Sequence, residues 1–156
     1  MATMRSFATA ELADLVQRAR ANPRLRANLN VHSELEDRVQ RMFNCFQPST
    51  YVRPHQHEPA RWELFVLLSG RLGVLTFGEK GQVTGRTVLS PGSGTAVEIP
   101  GGITHTVVSL APDTTVFEVK PGPFRPLTDK DFGPWSPVEG DPHAAILLWE
   151  WERLFG

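Results

Sequence analysis

From Val39 onward, short apolar and β-branched runs alternate with clusters of glycine, proline, aspartate and serine. Each run has the length of a strand, and the clusters between runs have the composition of turns. The runs lie at Arg41 to Phe46, Glu63 to Leu68, Leu72 to Phe77, Thr87 to Leu89, Thr95 to Ile99, His105 to Leu110 and Thr115 to Lys120. Many short strands at near-regular spacing predict an all-β antiparallel sandwich or barrel.

The N-terminal part of the chain has a helical periodicity instead. Apolar residues recur at helical spacing between Leu12 and Ala19, Thr9 is a candidate cap, and Asn22-Pro23 should end the helix. We expect this amphipathic helix to cover part of the barrel or a dimer interface, since such helices usually bury their apolar face for stability.

After Lys120 the chain becomes irregular and proline-rich through Pro137, which predicts a segment that wraps across the barrel. Asp141-Pro142 then has the pattern of a helix start, with a capping side chain followed by proline in the first turn. We interpret this helix as a short docking element and not as a cofactor-binding one. Its apolar stripe contains Leu147, Leu148, Trp151, Leu154 and Phe155.

The length of 156 residues suits a single domain with its own hydrophobic core. We predict one domain over residues 1–156, with an N-terminal segment over 1–38, a barrel core over 39–122 and a C-terminal wrap and helix over 123–156. A net charge of -1 gives no electrostatic reason to expect nucleic acid or an anionic membrane as a partner. The single cysteine excludes an intramolecular disulfide framework, and no apolar run resembles a secretory or transmembrane segment, so we expect a cytoplasmic protein.

Two histidine-bearing segments provide the clearest sign of chemistry. His55 and His57 lie two residues apart and are followed by Glu63, while His105 follows a proline- and glycine-rich turn. Side chains two apart on an extended segment point to the same side, so both histidines can face the barrel interior. Glu63 and His105 each begin a predicted strand, and the four side chains can therefore converge at one mouth of a barrel. His55-Gln56-His57 alone is also compatible with hydrogen-bonded surface histidines.

Three imidazoles and one carboxylate suit a transition metal better than calcium or magnesium. We predict one divalent ion per chain, with Fe, Zn, Ni or Mn as candidates. On a six-coordinate metal this ligand set leaves positions for water or substrate. Because histidine must be neutral to bind a metal, binding should weaken at acid pH.

Three further residues are candidate site residues. Tyr51 and Arg53 share the spacing of His55 and His57, so an unbroken strand would turn both into the barrel. Tyr51 is then the nearest candidate for a catalytic acid or base. Arg53 could bind a carboxylate or phosphate, although pairing with a structural acid is an equal alternative. His32 is a candidate ligand-binding or proton-shuttling residue.

Two other residues, Lys120 and Cys45, are interpreted as structural. Lys120 shares its spacing with Glu118, and we predict that it lies at the barrel edge without a catalytic function. Cys45 falls within a predicted strand and has the character of a small buried apolar residue.

At the histidine segments the sequence resembles the cupin superfamily. The first cupin motif places its glutamate after two histidines spaced as His55 and His57 are, and the second ends on a histidine placed as His105 is. The sequence departs from the motifs in having Ser49 for a glycine, Ser109 for an asparagine and a gap before Glu63 that is one residue longer than usual. The resemblance implies a double-stranded, jelly-roll-like β-barrel with a metal held by His55, His57, Glu63 and His105.

A closer resemblance is to the WbuC-type cupin-fold metalloproteins. It rests on short sequence segments along most of the chain, which begin at Val39, Tyr51, Trp62, Val97, Phe117 and Asp131. These proteins are associated with bacterial surface-polysaccharide gene clusters. The resemblance implies a homodimer and a small ligand related to sugars or carboxylates, but no particular reaction.

The sequence leaves two main functions open. The first is a metal-dependent enzyme acting on a small, sugar-derived substrate, with the metal as a Lewis acid or as an oxygen-binding iron. The second is a binding or sensing module in which the metal fixes a ligand without chemistry, and the lack of a clear acid or base beside the ligands favours it. A metal-free sugar epimerase or isomerase is a third interpretation, which the intact ligand set disfavours.

Overall fold

The fold is a pair of antiparallel β-sheets with a short helix at each end, in a computed structural model that describes residues 3–156. The helices are α1 (Thr9–Ala21) and α2 (Pro142–Glu152), and short 3₁₀ turns occur at Asp129–Asp131 and Arg153–Phe155. The strands are β1 (Arg26–Asn30), β2 (Val39–Phe46), β3 (Glu63–Ser69), β4 (Leu72–Phe77), β5 (Val83–Leu89), β6 (Ala96–Ile99), β7 (Thr104–Ser109) and β8 (Thr114–Pro121).

The strands form one larger and one smaller sheet. The larger sheet has the order β1-β2-β8-β3-β6, and the smaller has the order β5-β4-β7. All of these pairings are antiparallel, and the order is consistent with a jelly roll. The all-β prediction with short flanking helices is thereby confirmed.

The main core lies between the two sheets. Strand alternation divides the residues of β4 between two environments: Leu72 and Val74 face the larger sheet, whereas Leu75 and Phe77 face outward. The inner cluster consists of Phe46, Phe65, Leu72, Val74, Leu89, Ile99, Val107 and Val116. This apolar layer fills one part of the barrel interior and leaves the part near β1 and the first residues of β3 to polar side chains.

The two helices cover the outer faces of the sheets. Leu15 and Ala19 of α1 pack on Cys45 of β2, while α2 packs through Leu148 and Trp151 on the outward side chains of the smaller sheet. Both helices therefore have the packing function that the sequence predicted. The expected cap at Thr9 is wrong, because Ala8 occupies that position and its N–H donates to the Glu11 side chain. None of the helices in the described part of the chain is long and apolar enough to span a membrane.

Strand β1 was not among the predicted strands. Its sequence, Arg-Ala-Asn-Leu-Asn, is polar at alternate positions and contains none of the long β-branched runs that marked the others. It pairs with β2 over its whole length, from Arg26 opposite Phe46 to Asn30 opposite Met42. The sheet therefore begins within the predicted N-terminal segment, and its first strand contributes polar side chains to the interior.

Glu139 joins the C-terminal wrap to β1. Its carboxylate oxygens accept hydrogen bonds from Arg24 and Arg26 at 2.8 to 2.9 Å. Arg26 also donates to the Tyr51 carbonyl, so this contact supports the segment that leads to His55. Partial burial alone would raise the pKa of Glu139, but the bonds to Arg24 and Arg26 and their charges lower it to about 2.

We expect Glu139→Gln to reduce the free energy of unfolding by about 1 kcal/mol at neutral pH, since the pair is only partly buried and screened by solvent. A depressed pKa gives stability that is fully present above the ordinary value of 4.5 and is lost as the pH falls towards 2. Urea denaturation across that range should show the two proteins converging. Glu79→Gln, in an exposed hairpin loop, is the control; a difference that stays constant with pH would contradict the assignment.

Candidate metal centre

Four side chains converge at one end of the barrel. His55 and His57 come from the extended segment between β2 and β3, Glu63 is the first residue of β3, and His105 is the second residue of β7. One ligand atom from each lies within 4.8 Å of the others. His105 Nε2 is 2.7 Å from Glu63 Oε2, and His57 Nε2 is 2.9 Å from Glu63 Oε1. The structure thus brings together the four residues that the sequence nominated.

Backbone hydrogen bonds hold the histidines in place. His55 and His105 exchange two such bonds, with N···O distances of 3.1 and 2.9 Å, so their side chains lie opposite each other on neighbouring segments. The N–H of Gly102 donates to the His57 carbonyl at 2.8 Å. The turn that precedes His105 therefore also positions His57.

The imidazoles are oriented as metal ligands are. His55 Nδ1 donates to the Arg53 carbonyl at 2.9 Å, and His105 Nδ1 donates to the Ile103 carbonyl at 2.8 Å. These bonds place the proton on Nδ1 and leave the lone pair on Nε2, which is the usual arrangement behind a metal-binding histidine. His57 Nε2 is buried and has no aligned hydrogen-bond partner within residues 3–156, which is costly unless a ligand satisfies it.

The electrostatics of the cluster favour a cation. Burial alone would raise the pKa of Glu63, but the hydrogen bond with His105, the close contact with His57 and the charge of Lys120 lower it well below its ordinary value. Burial, and then the proximity of His105, lowers the pKa of His55 to about 4. His105 differs, because the Glu63 carboxylate raises its pKa despite burial. An ionised carboxylate and a neutral imidazole are the forms in which these groups bind metals.

The four residues fit a divalent transition metal. Nitrogen and oxygen ligands lie about 2.0 to 2.2 Å from such an ion and therefore within roughly 4 Å of one another, and the four ligand atoms observed lie within 4.8 Å, so the cluster has nearly the required size. Three nitrogens and one carboxylate oxygen form a donor set that Fe, Zn, Ni and Mn accept. His57 Nε2 lies 2.9 Å from Glu63 Oε1 without the alignment of a hydrogen bond, and this buried nitrogen is the observation that most directly separates the cluster from an ordinary hydrogen-bonded network.

A second buried polar group adjoins the cluster. Lys120 Nζ lies 3.1 Å from Glu63 Oε1 and 2.6 Å from Glu118 Oε1, and Asn44 Nδ2 donates to Glu118 Oε2 at 2.6 Å. Burial would lower the pKa of Lys120, but the charges of Glu118 and Glu63 raise it above its ordinary value. Burial also raises the pKa of Glu118 in spite of Lys120.

Lys120 and Glu118 were not among the predicted site residues. Lys120 was expected at the barrel edge, whereas its side chain points inward beside Glu63. The sequence signal that could have indicated this pair was the two-residue spacing of Glu118 and Lys120, which puts both side chains on one face of a strand. Their partner Glu63 lies on the neighbouring strand, and its register could not be fixed from the sequence.

A cavity of about 680 Å³ opens beside the cluster. His55, Glu63 and His105 line one part of it, and Lys120 and Glu118 line the adjoining wall. The remaining lining includes a set of apolar side chains, namely Phe46, Val52, Phe65 and Val107, and polar side chains of β1 and β2, namely Asn28, Asn30, Gln40 and Asn44. This volume is in the range of pockets that hold small molecules.

Tyr51 and Arg53 do not face this cavity. The Tyr51 hydroxyl donates to the Pro137 carbonyl at 2.9 Å, and its ring stacks on Trp151 of α2. Burial raises the pKa of Tyr51 to about 12, which does not suit proton transfer near neutral pH. Arg53 donates to Ser136 and lies over the ring of Phe132. The expectation that both side chains point into the barrel is therefore wrong. Residues 51–57 form no continuous strand, so strand alternation does not extend from His55 back to Tyr51.

His32 does line the cavity. It is buried, and its Nδ1 lies 2.8 Å from the Arg41 carbonyl oxygen and 3.0 Å from the Arg41 nitrogen. This contact fixes the ring against β2. The predicted ligand-binding function of His32 stays a prediction.

The two-sheet fold is similar to that of cupin superfamily proteins, which structural comparison identifies as neighbours. KdgF from Halomonas sp. matches with a TM-score of 0.50 and 22% identity over 67% of this chain and 84% of its own. The protein TT1209 from Thermus thermophilus matches with a TM-score of 0.53 and 21% identity over 69% and 93%. The Cupin_2 domain of an XRE family transcriptional regulator from Enterobacter cloacae matches with a TM-score of 0.50 and 16% identity over 64% and 98%.

At the level of family, the chain belongs to the domain of unknown function DUF6016, whose model matches residues 7–89. That region contains His55, His57 and Glu63, while His105 lies beyond it. No curated protein matches the chain. The structural similarities establish the cupin fold, and the resemblance to WbuC-type proteins stays a prediction.

Proposed function

We propose that this protein is a metal-dependent enzyme that acts on a small sugar-derived or carboxylate metabolite. The metal is a divalent Fe, Zn, Ni or Mn ion held by His55, His57, Glu63 and His105. The observation that carries the proposal is the convergence of these four ligands beside a cavity large enough for a small molecule. When bound, the metal would supply Lewis acidity or, as iron, a site for oxygen chemistry.

The protein's own residues would bind and orient the substrate around the metal. Phe46, Phe65 and Val107 give the cavity an apolar part that excludes water. Glu118 is a buried carboxylate of the cavity whose pKa is raised by burial, and it pairs with Lys120 at 2.6 Å. A buried carboxylate with a raised pKa is a candidate proton acceptor, which favours an enzyme over a passive binding site.

The biological setting is proposed on different grounds. The resemblance to WbuC-type proteins supports bacterial surface-polysaccharide metabolism and a homodimer. A single cysteine is in keeping with a reducing compartment, and we therefore propose a cytoplasmic location. We further propose that residues 1–156 form one domain, with the divisions given by the sequence.

A second candidate function is a non-catalytic sensing module. The similarity to a Cupin_2 domain of a transcriptional regulator favours it, because a cupin fold can be part of a regulator. In this case the metal and cavity would bind the same class of ligand without converting it. A metal-free epimerase or isomerase is disfavoured because all four ligands are in place.

Incubation with nucleotide sugars and small keto acids, with and without oxygen, tests the choice between these functions. The metal-loaded protein and the same protein stripped by a chelator are compared by mass spectrometry of the products. An enzyme should give turnover that is lost on chelation and restored by about one ion per chain. Tight binding without turnover would support the sensing module, and turnover by the stripped protein would contradict a function for the metal.

A further inference from the structure

Lys120 is a buried ammonium group in the wall of the cavity. Its side chain is 17% exposed, and its Nζ contacts one oxygen of Glu63 and one of Glu118. A buried lysine is costly, and this one lies between a carboxylate of the proposed ligand set and a second buried carboxylate. The position next to both the proposed metal ligands and the cavity therefore requires a specific explanation.

The charges around Lys120 depend on whether the metal is bound. Lys120, Glu63 and Glu118 together carry one net negative charge, and a divalent ion converts this to one net positive charge. Three arginines also line the cavity, Arg18, Arg24 and Arg26. Only two carboxylates, Asp14 and Glu139, pair with them within the described residues 3–156. The loaded cavity is therefore positive and suited to an anion.

Polar groups on β1 line the cavity two strands away from Lys120 in the same sheet. Asn28 Nδ2 donates to Asn30 Oδ1 at 2.7 Å, and both residues line the cavity. Asn30 is in register with Met42, which is in register with Glu118. Two strand spacings place β1 about 10 Å from β8. The side-chain amides of Asn28 and Asn30 can both donate and accept hydrogen bonds, so at this distance from β8 they suit a hydroxyl group of a bound ligand.

We propose that Lys120 binds the carboxylate of the ligand, and that the ligand is a hydroxylated monocarboxylic acid of about six carbons. The carboxylate would lie between Lys120 and the metal, and hydroxyl groups would reach Asn28 and Asn30 on β1. This inference rests on the proposed metal-dependent function and assigns the chemical class of its ligand. It also assigns Lys120 and the β1 amides, which the resemblance to cupins does not.

The test uses three probes of similar length with the zinc-loaded protein. D-Gluconate has the carboxylate and the hydroxyls, sorbitol has the hydroxyls alone, and hexanoate has the carboxylate alone. Isothermal titration should give gluconate a Kd at least about tenfold lower than either of the others. Equal affinity for gluconate and sorbitol would overturn the proposal.

Two neighbouring substitutions should have opposite effects. Lys120→Met removes the carboxylate partner and should weaken gluconate binding about tenfold or more. Glu118→Gln keeps Lys120 and the bond from Asn44, raises the charge of the cavity by one, and should strengthen gluconate binding by about threefold. A merely structural pair would not change affinity in two directions. Lys80→Met, in an exposed hairpin loop, is the control and should have no effect.

The outcomes separate this inference from the function on which it rests. Metal content is measured first, and a folded wild-type protein that takes up none of Fe, Zn, Ni and Mn would contradict the proposed function alone. If Lys120→Met retains zinc and binds gluconate as the wild type does, the inference is wrong. If Lys120→Met does not fold, the Glu118→Gln result decides, and unchanged or weaker binding of gluconate then overturns it.

Discussion

Replacing His105 with alanine should lower the affinity for the metal by about 100-fold or more, because changes behind a metal ligand already cost about 10- to 100-fold. His105 is 2% exposed and its Nε2 lies 2.7 Å from Glu63 Oε2, at the centre of the cluster. Alanine removes a ligand that no neighbouring side chain can replace. Metal content after dialysis, measured by mass spectrometry, gives the occupancy.

The control for this variant is His143→Ala. His143 lies at the N-terminus of α2, its side chain is 81% exposed, and its ring contacts Asp141. This substitution should leave the metal content unchanged. Since His105 is buried, circular dichroism must show that the His105→Ala protein is folded, and His105→Gln provides a less disruptive second variant. Full occupancy in a folded His105 variant would exclude this residue as a ligand.

Gly101→Ala should reduce both stability and metal binding. A Cβ at position 101 would clash with the Glu58 carbonyl oxygen and lie 2.5 Å from that of Pro59. Those atoms are backbone, so the clash can be relieved only by moving the segment that follows His57. We expect a loss of about 2 kcal/mol in the free energy of unfolding, as for other overpacked sites. Displacing His57 should also weaken metal binding by about tenfold.

Two other glycines separate steric displacement from backbone strain. Gly92 and Gly102 both have a φ of +78°, and a Cβ at either position would meet nothing within 4 Å. Alanine at these positions should cost about 1 kcal/mol through the left-handed conformation alone. Gly92 lies in a turn away from the ligands, so its variant should keep full metal content. If Gly101→Ala binds metal as tightly as Gly92→Ala, the turn does not position His57.

The fold and the ligand set could be predicted because their signals are local. Alternation within each run identified the strands, and Glu63 and Phe65, two residues apart on β3, do share the inner face. The spacing of His55 and His57, and the turn before His105, nominated residues that the structure does bring together. These patterns depend on few residues, and the cupin motifs made them more specific.

The errors arose where a local pattern was extended beyond its range. Strand alternation placed Tyr51 and Arg53 beside His55, but the chain is irregular there and both side chains pack against the C-terminal wrap. The neighbourhood of Lys120 depends on the pairing of β8 with β3, which is a long-range contact. Strand β1 was missed because pairing with β2, and not its own composition, makes it a strand.

The metal content of the purified protein tests the central claim most directly. The protein should be prepared without added metal and without a polyhistidine tag, and analysed by inductively coupled plasma mass spectrometry. The ligand set of His55, His57, Glu63 and His105 predicts about one divalent transition-metal ion per chain. A folded protein that contains no such ion, and that takes up none from Fe, Zn, Ni or Mn salts, would contradict the assignment of this cluster as a metal centre.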